Sequence, residues 1–197
     1  RGVAVAFEAC REFAQSGEIW IDAGCGAGHL TERLAGLPLR VVAADMDPDM
    51  IHLAKRRWSQ LPGRGQVFFT QASVMRFPLR DGSVSGVAAA SLAGCLPNIE
   101  AFLSESHRVL APGGKFVLTL TNRDSLLRRI NNVIRRMESR ISRRRFDPRR
   151  YRLYEPSEIL ALLRAGGLDP IKIEFYNYTL NAGPWLAPPA SIAARWR

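Results

Sequence analysis

The segment Asp22-Ala23-Gly24-Cys25-Gly26-Ala27-Gly28 alternates glycine with small residues directly behind an aspartate. Glycines at this spacing let the chain turn tightly and let a ligand approach the backbone. A helix opening at His29 would point its unbonded N–H groups at whatever lies there. Asp45, which follows Gly28 by 17 residues, ends a short apolar run. A carboxylate at that distance can accept two hydrogen bonds from the vicinal hydroxyls of a ribose. Together these residues describe a nucleoside site. It is not the dinucleotide fingerprint Gly-x-Gly-x-x-Gly, because the position that would carry the last glycine is His29. Two blander readings compete: the loop as a plain structural turn, and Asp45 or Asp47 as a helix cap. The spacing favours Asp47 as the cap and Asp45 as the ribose ligand.

The elements that must position these residues follow from periodicity. Helical spacing runs over Ala4–Gln15, His29–Ala35, from Asp47 as cap with Pro48 in the first turn to about Gln60, and over Ile99–Leu110, which Pro112-Gly113-Gly114 stops. Short apolar runs over Glu18–Ala23, Leu39–Asp45, Gln66–Gln71, Val84–Ala90 and Lys115–Leu120 read as strands buried on both faces, hence parallel. Right-handed helical crossovers between such strands give an α/β fold, a doubly wound, mostly parallel, Rossmann-like sheet with flanking helices. Its ligand crevice lies at the carboxyl ends of the strands, where the glycine loop and Asp45 fall. Beyond the fifth strand the pattern changes. Ser125–Arg145 reads as a basic amphipathic helix, an inserted lid, followed by a helix at Pro156–Ala165 and a strand at Ile171–Tyr178. The tail from Asn181, with Pro184, Pro188 and Pro189, cannot be assigned to the sheet from its pattern.

The 197 residues suit one domain: core 17–122, arginine-rich insert 123–152, and C-terminal helix, strand and tail 153–197. The net charge is +10, but Arg123–Arg152 holds twelve arginines against three acids, a net of +9. The remainder is close to neutral, so the basicity is a local device. The stripe Leu126, Leu127, Ile130, Val133, Ile134, Met137 and Ile141 opposite those arginines suits a lipid-like substrate or an anionic membrane surface through Ser125–Arg150; solvated arginines over a packed face are the plainer alternative. Aromatic residues that stack on bases are missing from Ser125–Arg145, which disfavours nucleic acid. No apolar run approaches the ~20 residues of a membrane span. Cys10, Cys25 and Cys95 are odd in number and form no Cys-x-x-Cys, which argues against a disulfide framework and a metal site and fits a reducing compartment. The expected location is therefore cytoplasmic, with peripheral contact at the inner membrane surface. Arg1 in the place of Met implies processing or truncation upstream, so a lost signal or anchor stays open. His29, His52 and His107 fit structural or surface roles better than catalysis.

With these residues placed, the chain resembles the class I S-adenosylmethionine-dependent methyltransferases of the methyltransferase domain 11 type. Ile19–Gly28 resembles the family's first motif and Val41–Met50 its ribose-binding second strand. Phe77-Pro78-Leu79-Arg80-Asp81-Gly82-Ser83 is similar to the turn before its fourth strand, and Arg108–Phe116 to the motif before its fifth. The resemblance implies S-adenosyl-L-methionine as cofactor. Gly24, Cys25, Gly26 and Gly28 would cradle its methionine end, and Asp22 would help hold its amino group. Asp45 would take the ribose, with Met46 packing on the adenine and Met50 in the same motif. Ser73 and Val74 would meet the adenine edge, and Ser91 and Leu92 would lie near the methyl donor. Ser73 stands where the family carries an acid, and Val84-Ser85 where it carries Phe-Asp. On the substrate side, topology suggests Asn122, Arg123, Tyr151 and Tyr154. The implied activity is methyl transfer to a small-molecule or lipid-linked acceptor. The alternatives are an eroded module of the same fold that binds a membrane or a partner, and an RNA methyltransferase. No catalytic base is legible, and in-line displacement at a sulfonium needs one only when the nucleophile must lose a proton.

Overall fold

A computed structural model describes residues 2–61, 66–120, 152–174 and 193–195. In chain order the elements are α1 (Gly2–Phe13), β1 (Ile19–Ala23), α2 (His29–Leu34), β2 (Arg40–Asp45), α3 (Pro48–Ser59), β3 (Gln66–Gln71), β4 (Val84–Ala90), a 3-10 turn at Ala93–Cys95, α4 (Ile99–Val109), β5 (Leu110–Thr119), α5 (Pro156–Ala165), β6 (Lys172–Glu174) and β7 (Ala193–Arg195).

Five strands form one sheet in the order β3-β2-β1-β4-β5, and every pairing in it is parallel. Because the order reverses direction on either side of β1, the crevice opens at the carboxyl ends of β1 and β4. The central strands carry the apolar runs because they are covered on both faces. Trp20, Ile21, Val41, Ala43, Ala44, Val87, Ala88 and Ala89 are all buried. Trp20 packs with Ala6 and Cys10 of α1 and with Leu30 and Leu34 of α2; Ile21 packs with Ile99, Phe102 and Leu103 of α4 on the other face. Each such large apolar side chain contributes about 1.5–3 kcal/mol by leaving water. Gly86 is obligatory on β4, because a Cβ there would sit 2.2 Å from the Trp20 ring.

The helices start as local chemistry dictates. Asp47 Oδ1 accepts from the Asp49 N–H at 2.9 Å, with Pro48 at the first helical position of α3. Asn98 Oδ1 accepts from the Ala101 N–H at 2.9 Å and starts α4.

Two expectations change. Pro112-Gly113-Gly114 reads as a stop before a strand beginning at Lys115, yet β5 begins at Leu110. Leu110 pairs with Val84 and Lys115 with Gly86, so the intervening residues form an irregularity inside the strand, which Gly113 permits with its φ of 76°. The C-terminal strand also differs. Its described part, Lys172–Glu174, pairs antiparallel with Ala193–Arg195 as a separate two-stranded sheet, so part of the proline-bearing tail does form a strand. A salt bridge from Lys172 to Glu12 ties β6 to α1. The expected basic helix at Ser125–Arg145 and residues 175–178 of the expected strand lie outside the described residues.

Candidate functional site: a crevice at the carboxyl ends of β1 and β2

The glycine loop is built by β1 and β2 together. The N–H groups of Gly24 and Cys25 both donate to the Ala44 carbonyl, at 2.8 and 3.0 Å, which folds the chain back across the end of β2. Gly24, Gly26 and Gly28 have φ of 67°, 51° and 79°, a region that L side chains rarely enter. Two of them also need the space. A Cβ on Gly24 would lie 2.6 Å from Leu92 Cδ1, and one on Gly28 3.2 Å from the Ala54 Cβ of α3. Leu92 therefore roofs the loop from the far side of the crevice. Cys25 packs with Ala43, Ile51 and Ala54, and its thiol donates to the Gly26 carbonyl at 3.6 Å; burial pushes that thiol far up.

Asp45 closes the loop from the other side. Its Oδ2 accepts from the Gly26 N–H at 2.8 Å and its Oδ1 from the Asp47 N–H at 3.0 Å. Each carboxylate oxygen has a second lone pair, so the group stays competent to accept from a diol while fixed in orientation. Met46, the next residue, is 72% exposed and offers an open apolar shelf at the tip of β2; Met50 is half-buried one turn into α3. The Asp45 carbonyl accepts from Ala72 at 3.0 Å, which brings the segment after β3 to the same rim. There Ser73 Oγ accepts from the Met75 N–H at 3.3 Å and holds a turn, while the Val74 side chain is buried in the main core. Any ligand contact of Val74 is thus through its backbone.

Asp22 is placed differently. It is 1% exposed, beneath the loop, and accepts from Thr31 Oγ1 at 2.5 Å. Burial pushes its carboxyl up to about 6; the Thr31 hydroxyl and N–H pull it back down, and the like charge of Asp45 raises it further. Thr31, in the first turn of α2, gives no signal in the sequence beyond its nearness to the loop.

On the opposite wall Ser91 directly follows β4 with a φ of 59°, the sole non-glycine residue with positive φ among those described. Strain of this kind gathers at functional sites. It is held because the Ser91 N–H donates to the Thr119 carbonyl at 3.0 Å and Thr119 Oγ1 at 3.1 Å, which locks the ends of β4 and β5 together.

The substrate-side residues divide. Asn122, Arg123 and Tyr151 lie outside the described residues. Tyr154 is 1% exposed and packs in the main core with Ala93, Ile99, Phe102 and Ile159. Its hydroxyl has no hydrogen-bond partner among the described residues, and the Arg152 guanidinium lies 4.9 Å over its ring. The Arg152 N–H donates to the Gly94 carbonyl at 2.8 Å, which fastens this segment to the turn after Leu92.

Sequence reasoning missed why two of its motifs go together. Arg108 donates to both carboxylate oxygens of Glu105, to Asp81 and to the carbonyls of Leu79 and Phe77. It staples the Phe77–Ser83 turn to α4, and Gly82 returns a hydrogen bond to the Arg108 carbonyl at 2.9 Å. The Arg108 guanidinium in turn holds the Glu105 carboxyl below its usual range. Among the described residues no group of histidines, cysteines and acids could hold a metal ion.

What the crevice can hold follows from its parts. It has backbone N–H groups on a glycine turn, an oriented carboxylate at diol distance, an exposed thioether shelf and a second carboxylate beneath. Among the described residues neither carboxylate has a cationic partner. The set fits a nucleoside that carries positive charge.

Comparison with known proteins agrees. The family model described as "Methyltransferase domain" matches residues 21–118, about half the chain. A Schizosaccharomyces pombe protein described as an uncharacterized methyltransferase-like protein is 32% identical over 116 residues, which is 58% of this chain and 43% of that protein. A ubiquinone biosynthesis O-methyltransferase of Xanthomonas oryzae pv. oryzae is 33% identical over 104 residues, 52% of this chain and 43% of that protein. The chain thus spans less than half the length of these curated relatives. Among solved structures, a SAM-dependent methyltransferase of Thermotoga maritima superposes with a TM-score of 0.69 at 18% identity, over 99% of this chain and 83% of that one. At that identity the likeness concerns the fold.

Proposed function

We propose, from the premise that this chain belongs to the class I S-adenosylmethionine-dependent methyltransferases, that it transfers a methyl group to a small-molecule or lipid-linked acceptor at the mouth of the β1–β4 crevice. The observation that carries the reading is the coupling of the glycine loop to Asp45: one carboxylate fixes the Gly26 N–H at 2.8 Å while keeping lone pairs for a ribose.

The cofactor supplies an activated methyl group on a positively charged sulfur. This chain's residues supply position and dryness, the main needs of an in-line displacement. The backbone of Gly24, Cys25, Gly26 and Gly28 borders the amino-acid end. Asp45 takes the ribose, Met46 and Met50 the adenine face, and Ser73 with the Val74 backbone the adenine edge. Ser73 offers a neutral hydroxyl where an acid would give a charge-assisted bond, which weakens cofactor binding by about 1 kcal/mol. Ser91 and Leu92 flank the transferring methyl, with Leu92 excluding water above Gly24.

For the acceptor, one relative acts in ubiquinone biosynthesis, and the apolar stripe and twelve arginines of Arg123–Arg152 suit an amphiphile or an anionic surface. On this reading the segment Arg123–Arg152 meets the acceptor, and Asn122, Arg123 and Tyr151 are among its substrate-side residues. On the same reading the chain works in the cytoplasm at the inner membrane surface. Against the eroded-module alternative stands the oriented, solvent-accessible Asp45. Titration calorimetry with S-adenosylmethionine and its demethylated product tests the reading. Micromolar binding that Asp45→Ala weakens about 100-fold, the equivalent of two lost hydrogen bonds to a charged group, supports it. No heat of binding near millimolar ligand overturns it.

A further inference from the structure

The turn that follows β4 is held in a conformation its own residues do not favour. Ser91 has a φ of 59°, in the left-handed region that is costly for any residue with a side chain. Such a torsion persists only where the surrounding contacts over-determine it. Here the Ser91 N–H meets two acceptors, the Thr119 carbonyl at 3.0 Å and the Thr119 hydroxyl oxygen at 3.1 Å. The carbonyl bond continues the parallel ladder, in which Ala90 pairs with Thr119. The hydroxyl bond is additional to it. Thr119 is 5% exposed at the end of β5, where valine would fill the same space and suit a strand as well. What accounts for a buried hydroxyl at this position is the N–H it accepts from. Further along the turn, Ala93 is fully buried in the main core, the Cys95 N–H donates to the Leu92 carbonyl at 2.8 Å, and the Gly94 carbonyl accepts from the Arg152 N–H at 2.8 Å. Between these fixed points stands Leu92, whose side chain covers Gly24.

We propose that Thr119 is a positioning residue for the amino-acid end of the cofactor: its hydroxyl holds Ser91 in the left-handed turn, and that turn seats Leu92 over Gly24. This rests on the methyltransferase reading, which places the amino-acid end on the backbone of the glycine loop. A residue that leaves the left-handed region redirects the chain after it. Without the hydroxyl bond, Leu92 no longer stands over the loop in every molecule. Leu92 is aliphatic, so its share in binding is to keep water off the Gly24 turn and to hold the ligand's end against it. A ligand that needs the closed arrangement binds with its affinity reduced by the fraction of molecules that retain it. A ligand that uses only the ribose and adenine contacts is indifferent, because Asp45 is fixed by the Gly26 and Asp47 N–H groups and not by the turn after β4. Thr119 thereby acts through Ser91 and Leu92, without itself meeting the ligand.

The test compares dissociation constants, by titration calorimetry, for S-adenosylmethionine, its demethylated product and methylthioadenosine, which keeps the nucleoside and the sulfur but lacks the amino-acid portion. Thr119→Val should weaken the first two about fivefold, the size of one net hydrogen bond, and methylthioadenosine by less than about twofold. Thr119→Ser, which keeps the hydroxyl, should bind all three within about twofold of the unaltered protein. In a Ser91→Gly background the same Thr119→Val change should cost less than about twofold, because glycine adopts the left-handed turn without help. A purely structural role for Thr119 would change the three ligands alike. Equal weakening of all three, unchanged affinity in Thr119→Val, a loss with Thr119→Ser, or an undiminished effect in the Ser91→Gly background overturns the inference while leaving the enzyme reading intact. If Thr119→Val does not fold, Thr119→Ala must show the same split between ligands. If methylthioadenosine binds too weakly to titrate, the Thr119→Ser and Ser91→Gly results decide. Binding of none of the three nucleosides overturns the methyltransferase reading and the inference together.

Discussion

At the scale of single residues the crevice works by placing groups where their ordinary chemistry is altered. Asp22 is the clearest case. Its folded carboxyl titrates at about 6, against 3.8 for the free side chain. The fold therefore favours the protonated form: the stabilisation is fully present below 3.8 and is lost as pH rises through about 6. Asp22→Asn removes that dependence. Urea midpoints at pH 4, 5 and 7 should show the variant gaining on the unaltered protein by on the order of 2 kcal/mol across this window. A parallel pH profile for the two proteins would contradict it. Gly24→Ala acts through space and torsion. A φ of 67° and an approach of 2.6 Å to Leu92 must both yield. The expected result is about 5- to 30-fold weaker cofactor binding, since strain of roughly 1–2 kcal/mol falls on the loop that meets the ligand. Gly24→Ala with Leu92→Ala should recover only part of the loss, because the torsion stays wrong.

Between elements, the Arg108 staple decides how α4, the turn before β4 and β5 sit together. The side chain satisfies two carbonyls and two carboxylates at once. Arg108→Ala leaves the Glu105 carboxylate and the Phe77 and Leu79 carbonyls short of a donor, so a loss of roughly 2–4 kcal/mol in chemical denaturation is expected. Lysine should restore little, because a point charge cannot replace a planar fork. Cofactor affinity should change by less than about threefold, since Arg108 touches the turn and not the crevice. That split distinguishes a scaffold role from a binding role. The partner glycine, Gly86, belongs to the same scale: its alanine variant drives a Cβ into Trp20 and should cost about 3 kcal/mol or more.

Over the whole molecule, charge is segregated. Outside Arg123–Arg152 sixteen basic residues face fifteen acidic ones, so one segment carries nearly all the net charge of +10. The proposed acceptor side therefore has its own electrostatics, separable from cofactor binding. Sedimentation with anionic and neutral vesicles should show a clear preference for the anionic ones, which replacing Arg135, Arg136, Arg143 and Arg144 by Ser abolishes. The preference should fade as salt rises. Equal partitioning to both vesicle types would remove the membrane surface from the functional reading. Among the described residues no helix is long and apolar enough to cross a membrane.

Local chemistry alone determined much of this protein. Periodicity and caps fixed β3, β4 and α5 at their observed bounds and α3 to within a residue, because Asp47-Pro48 and apolar runs of strand length act through nearest neighbours. The glycine loop and Asp45 meet at the carboxyl ends of β1 and β2, the region where a doubly wound sheet leaves room for a ligand. Tertiary structure alone decided what depends on contacts distant in sequence. That Asp22 faces Thr31 beneath the loop, that Leu92 stands over Gly24, that Arg108 bridges two motifs and that Gly86 yields to Trp20 each needs residues tens of positions apart, or on opposite sides of a turn, to meet. The early start of β5 and the pairing of β6 with β7 likewise depend on a partner strand, which a single segment's pattern does not contain.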